Sequence, residues 1–160
     1  MNINDSIPSL SFQATNGLSA HFDNYRGKWL VLYFYPKDST PGCTREGQGF
    51  RDHQQEFLQL NAIVFGISRD SLKSHENFKA KQQFPFELIS DADETLCQAF
   101  DVIKMKSMYG KQVRGIERST FLIDPEGKLR HVWRKISVQG HVENVLNTLK
   151  ELQSKANAGA

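Results

Sequence analysis

Apolar residues gather into two unbroken runs, Trp29-Leu-Val-Leu-Tyr-Phe-Tyr35 and Ala62-Ile-Val-Phe-Gly-Ile67. Neither alternates with polar residues, and both favour β-branched and aromatic side chains, as strands covered on both faces do. Between them, Phe50, Phe57 and Leu58 recur at helical spacing within residues 43–60, although Gly47 and Gly49 weaken the first turns. Strand, helix and strand within about 40 residues predict a right-handed crossover and a parallel pair.

Shorter signals fill in the rest. Leu10–Thr15 and Leu18–Phe22 flank Asn16-Gly17, a dipeptide suited to the positive φ angles of a tight hairpin turn. Asp70 or Ser71 can cap a helix running through Lys81, Phe86–Ile89 reads as a short strand, and Asp93–Phe100 as a short helix. Lys104–Gly115 is expected to be an irregular basic loop. Arg118–Ile123 and Lys128–Trp133 are two strands around the turn Asp124-Pro-Glu-Gly127, and Val142, Val145, Leu146, Leu149 and Leu152 mark a final amphipathic helix. This order predicts an α/β, thioredoxin-like fold, with a central mixed β-sheet flanked by helices and an N-terminal β-hairpin. Residues 1–153 form its one domain, and the small polar end, 154–160, is expected to fray.

Composition narrows the function classes. The 160 residues suit a single domain, and 39% hydrophobic with 24% charged residues is a globular balance. Twenty basic against 18 acidic groups leave a net charge of +2, which argues against a disordered chain or a strongly basic nucleic-acid binder. The cluster Lys104, Lys106, Lys111 and Arg114 has only Tyr109 for an aromatic neighbour, so it reads as a solvated loop. The longest apolar run has seven residues, against the roughly 20 of a membrane-spanning helix. Met1–Asp5 lacks the basic start of a signal peptide, so the cytoplasm is the expected location. The only cysteines, Cys43 and Cys97, rule out a disulfide scaffold and a thiolate-rich zinc site; no metal or cofactor is expected.

The chemistry concentrates in Tyr33-Phe-Tyr-Pro36-Lys-Asp-Ser-Thr40-Pro41-Gly42-Cys43-Thr-Arg-Glu46. Here one cysteine follows a buried strand and opens a helix, where free N–H groups and the helix dipole favour a thiolate. Thr40 can turn its hydroxyl toward the sulfur or toward an oxygen bound beside it, while Pro36 and Pro41 restrict the loop and shield it from water. A lone cysteine is otherwise a small core hydrophobe, but the prolines, the threonine and the helix start favour a nucleophile. Dithiol exchange of the Cys-x-x-Cys kind fails on spacing, because Glu46 stands three residues after Cys43. His21, His53, His75, His131 and His141 are scattered and form no hydrolase signature.

Pro36-x-x-x-Thr40-x-x-Cys43 after an aromatic strand resembles the active-site motif of peroxiredoxins. Phe34-Tyr35-Pro36-Lys37 with Thr40-Pro41-Gly42-Cys43-Thr44 is similar to the bacterioferritin comigratory protein branch, PrxQ. The resemblance continues through Gly66-Ile67-Ser68, Ser90-Asp91 and Glu117–Asp124, covering nearly the whole chain. It implies thiol-dependent reduction of hydrogen peroxide and organic hydroperoxides, with Cys43 becoming a sulfenic acid. It further implies that Arg118 is the essential arginine, that Thr40 and the Cys43 N–H bond the peroxide, and that Glu46 orients Arg118. A fixed guanidinium suits this step, because O–O cleavage puts negative charge on the leaving oxygen.

Members of this branch carry a resolving cysteine five residues after the peroxidatic one or in the next helix; here those positions are Gln48 and Lys79. The only other thiol, Cys97, lies on the apolar face of Leu96-Cys-Gln-Ala-Phe100 and reads as packing. The expectation is a monomer with a one-cysteine cycle, in which thioredoxin, or glutaredoxin with glutathione, reduces the sulfenic acid. Two alternatives stay open: Cys97 as an internal resolving thiol, and a redox-sensing or chaperone-like binding protein.

Overall fold

The computed structural model describes residues 1–158. Its frame is a seven-stranded mixed sheet of order β2-β1-β5-β4-β3-β8-β9, with strands β1 (Ser11–Ala14), β2 (Ser19–His21), β3 (Trp29–Phe34), β4 (Ala62–Ser68), β5 (Glu87–Ser90), β8 (Ser119–Ile123) and β9 (Leu129–Trp133). The two apolar runs become β3 and β4, paired in parallel with Val31 opposite Val64. On its other side β3 pairs antiparallel with β8, Val31 opposite Leu122. A strand flanked by two others and covered on both faces has no solvent side, which explains the missing polar alternation. β1 and β2 form the N-terminal hairpin.

Alternate residues of β3 feed two cores. Leu30, Leu32 and Phe34 pack with Phe12, Phe22, Phe100 and Phe121 on one face, beside α4 (Thr95–Ala99). Val31, Tyr33 and Tyr35 pack on the other against α1 (Pro41–Asp52), α2 (Gln54–Gln59), α3 (Leu72–Gln82) and α5 (His141–Ala158), through Phe50, Phe57, Phe78 and Val145.

The helix expected over residues 43–60 is two helices. It breaks at His53 (φ −106°, ψ 10°), whose ring Nδ1 lies 2.8 Å from the Gly49 carbonyl that it can only donate to. Gly47 has a packing reason to sit in α1 despite its low helix propensity, since a Cβ there would run into the Phe84 ring. It is the close approach of that ring that asks for glycine.

Residues 104–115 are a correction. They form a two-stranded antiparallel ribbon, β6 (Ile103–Met108) and β7 (Lys111–Ile116), turning at Tyr109-Gly110 with φ of 52° and 76°. The ribbon reaches the core only at its base, through Ile103 and Ile116, so neither strand shows the apolar alternation that betrays a half-buried strand. The final helix continues to Ala158, so residues 154–158 are helical where fraying was expected; residues 159–160 lie outside the described residues. Among the described residues, no helix is long and apolar enough to cross a membrane.

Candidate active site

β3 delivers the chain to the site and β8 delivers its counterpart. Phe34 ends β3 opposite Ser119, so the register places Arg118 at the mouth of the loop that follows Tyr35. That loop, Pro36–Thr40, enters α1 with Pro41 in the first turn, where a missing N–H is harmless. The first bond of the turn runs from Thr44 N–H to Thr40 carbonyl at 2.9 Å. The Cys43 N–H therefore lies among the donors with no partner inside the helix.

Cys43 is 2% exposed. Cys43 and Glu46, three apart, share one helix face, and Arg118 bridges them. Its Nη1 donates to Glu46 Oε1 at 2.7 Å and its Nη2 to Cys43 Sγ at 3.4 Å. Gly42 leaves room for this, because a Cβ there would stand 3.1 Å from Arg118 Nη2. The structure thus brings together Cys43, Glu46 and Arg118.

Burial dominates the electrostatics. Removal from water works to lower the Arg118 pKa, but Glu46 and Cys43 outweigh it and the guanidinium is held still more firmly charged. Burial pushes the Glu46 carboxyl up to about 7 against the pull of Arg118. Burial, and then Arg118, take His141 down to about 4. His141 Nε2 lies 2.9 Å from Thr120 Oγ1 and 4.0 Å from Glu46 Oε2, an oxygen with no hydrogen-bond partner. Neutral at pH 7, His141 forms no ion pair with Glu46.

A stability consequence follows. A carboxyl whose pKa rises on folding binds its proton more tightly when folded, so its contribution is present below about 4.5 and is lost as pH climbs through about 7. His141 acts oppositely, its contribution being lost as pH falls from 6.5 through about 4. Glu46→Gln is therefore expected to gain stability relative to the parent as pH rises from 5 to 8, in urea titrations at each pH. An unchanged difference across that window would contradict the shift.

Thr40 commits its one hydroxyl proton to its own loop. Its hydroxyl donates to the Lys37 carbonyl at 2.8 Å, which leaves its lone pairs as acceptors. Pro36 is half-buried and lines a cleft of about 470 Å3 with Arg118, Met105, Lys106 and Ile136. Lys106 and His141 are neighbours that sequence reasoning missed. Lys106, read as part of a solvated loop, donates to the Ile116 carbonyl, and burial followed by Arg118 lowers its pKa.

Cys97 is not brought to the site. It packs with Phe34 and Phe100 in the core on the opposite face of the sheet from Cys43. Burial and then Asp91, which accepts the Cys97 N–H at 2.7 Å, push its thiol pKa far up, so it stays protonated. Among the described residues, one grouping has ligand-like geometry, Asp38, Asp70 and His75, with donor atoms within 4.8 Å of one another. Those atoms are engaged in hydrogen bonds, and the trio reads as a polar network.

Comparison with known proteins agrees with this geometry. Residues 3–132 match the model of the AhpC/TSA family. The chain is 59% identical over 142 residues to peroxiredoxin Bcp of Xanthomonas campestris, covering 89% of this chain and 86% of that protein. It is 47% identical to peroxiredoxin Bcp of Bacillus subtilis, covering 96% and 98%. A PrxQ mutant structure from Xylella fastidiosa superposes with a TM-score of 0.91 at 49% identity, covering 96% of this chain and 98% of that one. Peroxiredoxin Q of X. campestris has been solved as two single cysteine-to-serine mutants at positions 36 apart. Here the residue 36 beyond Cys43 is Lys79, whose ammonium pairs with Glu87 at 2.9 Å. With its motif, its fold and its relatives in agreement, the chain belongs to the AhpC/TSA family, in the bacterioferritin comigratory protein (PrxQ) branch of the peroxiredoxins.

Proposed function

We propose that this peroxiredoxin reduces hydroperoxides in a one-cysteine cycle, with an external thiol completing the work that Cys43 begins. The Cys43 thiolate attacks the terminal peroxide oxygen; an S–O bond forms, the O–O bond breaks, and its electron pair leaves on the departing alkoxide. That alkoxide takes a proton to become alcohol, or water when the substrate is hydrogen peroxide, and Cys43 is left as the sulfenic acid. Arg118 Nη2, already on Sγ, is placed to stabilise the thiolate and then the leaving oxygen. Thr40, its proton engaged by Lys37, can accept from the peroxide O–H, and the Cys43 N–H can donate to a peroxide oxygen. Pro36 lines the cleft together with Arg118, and Glu46 anchors that arginine.

The sulfenic acid then condenses with an incoming thiol, releasing water and forming a mixed disulfide. A second thiol takes that disulfide and returns Cys43. Thioredoxin, or glutaredoxin with glutathione, can supply both thiols, and a reducing compartment such as the cytoplasm suits the cycle. Since Cys43 is 2% exposed, a protein thiol reaches it only when the first turn of α1 opens.

The observation that carries this reading is the placement of the second thiol across the sheet, since a disulfide needs Cα atoms within about 7 Å. Cys97→Ala tests it. Alanine deletes the side-chain donor outright, whereas a serine hydroxyl would keep a donor beside the Asp91 carboxylate. The variant is expected to retain at least half of parental peroxide turnover with thioredoxin or glutaredoxin as reductant. Loss of turnover with both reductants, in a folded variant, would make Cys97 the resolving thiol.

A further inference from the structure

Asp38 sits between Pro36 and Thr40 on the loop that leads into the Cys43 turn, yet its carboxylate is buried against α3. Oδ1 accepts from the Tyr35 hydroxyl at 2.6 Å, and Oδ2 accepts from the Ser74 hydroxyl at 2.8 Å. Oδ2 also lies 2.7 Å from Nδ1 of the fully buried His75, whose Nε2 is 2.9 Å from the Ile89 carbonyl. A carbonyl only accepts, so Nε2 carries a hydrogen and donates to Ile89, which turns Nδ1 onto Asp38. His75 Nδ1 and the Asp38 carboxyl therefore meet as a buried hydrogen-bonded pair. The Asp38 backbone N–H adds a bond to Asp70 Oδ2 at 3.0 Å, and Asp70 accepts in turn from Ser68 at the end of β4. One loop residue is thus tied to Tyr35, β4 and α3 at once, immediately before Ser39, whose φ is +63°.

Such a buried polar network is a poor device for stability, because well-packed apolar replacements of buried paired groups are often neutral or stabilising. Its better-attested use is to select one arrangement among several. Here the arrangement selected is the path of Pro36–Thr40, which sets the Thr40 hydroxyl and leads into the turn that holds Cys43.

We propose that Asp38 and His75 are positioning residues for the peroxidatic step, clamping the Pro36–Thr40 loop to α3 so that Thr40 and the Cys43 turn hold the geometry that peroxide attack requires. The inference rests on the assignment of Thr40 to the peroxide pocket. Neither residue touches the reacting atoms, so removing the clamp acts on the oxidation rate of Cys43 through misplacement, where a shift on the order of 1 Å is worth about 10²-fold.

The test is the second-order rate constant for Cys43 oxidation by hydrogen peroxide in single turnover, without reductant, quenched by alkylation and read by intact mass. It is measured well below the unfolding temperature of each variant. Asp38→Ala and His75→Phe are expected to slow the step roughly 10- to 100-fold. Asp38→Asn is expected to recover most of that loss. Its amide oxygen accepts from Tyr35, and its NH2 donates to Ser74 and to His75 Nδ1, so the clamp geometry survives without the carboxylate. A role confined to stability would lower the melting temperature and leave the rate unchanged. An Asp38→Ala rate within twofold of the parent, or an Asp38→Asn loss as large as that of Asp38→Ala, overturns the proposal. Should Asp38→Ala not fold, His75→Phe, of similar ring size, is judged by the same twofold criterion. Thr40→Val separates the two readings. If it alone leaves the rate unchanged, the pocket assignment to Thr40 fails while the clamp still acts on the Cys43 turn; if only the Asp38 and His75 variants do, the clamp fails.

Discussion

Cys43→Ser is expected to abolish peroxide reduction, a loss of at least about 10³-fold in a folded protein, because a serine hydroxyl is un-ionised near neutrality and a far weaker nucleophile than a thiolate. The exchange is nearly isosteric. The new hydroxyl takes the place of a buried sulfur that already receives Arg118 Nη2, so it is not left without a partner. The expected stability change is therefore small, about 1 kcal/mol. Peroxide consumption with a thiol reductant, checked beside a urea titration, measures both. Residual turnover within tenfold of the parent would mean that the nucleophile lies elsewhere.

Arg118→Met should give the next largest loss, about 10²–10³-fold in the rate of Cys43 oxidation, the usual effect of removing one preorganised donor from a developing oxyanion. Methionine keeps the length and the apolar stem while deleting both the charge and the fork. Removing one partner of a buried ion pair can cost about 3–5 kcal/mol. Here the loss is capped, because Glu46, already at about 7, takes up a proton once the guanidinium is gone. Arg118→Lys is expected to fall between, since a single ammonium cannot reach both Glu46 Oε1 and Cys43 Sγ in the fork geometry. Stopped-flow oxidation across a peroxide series checks both variants. Equal rates for arginine and methionine would remove Arg118 from the chemistry.

The run Trp29–Tyr35 is legible as a central strand because β4 and β8 flank it and both of its faces are covered, and the motif opening α1 is legible because its residues are contiguous. Arg118 is different. Nothing local marks it; the resemblance singles it out, and its position follows from Ser119 pairing with Phe34 in β8. The ribbon of β6 and β7 escapes because its core contact is confined to Ile103 and Ile116 at its base, too little to impose a period of two, and because it turns on Tyr109-Gly110 in place of a familiar Asn-Gly. The polar contacts escape for a third reason. His75 meets Asp38 across 37 residues of chain, and His141 approaches Glu46 across an even longer interval, so scattered histidines become partners only once β3, β8, α3 and α5 are assembled. Glu46 illustrates the limit from the other side: its spacing from Cys43 is visible, but the burial that lifts its pKa to about 7 is not.

The measurement that bears most directly on the one-cysteine cycle is intact and peptide mass after about one equivalent of hydrogen peroxide, without reductant, with a sulfenic-acid trap present and the remaining thiols alkylated on unfolding. The expected result is a trapped adduct on Cys43 with Cys97 still alkylatable. A disulfide joining Cys43 to Cys97 would contradict it, and would mean that the sheet between them opens during the cycle.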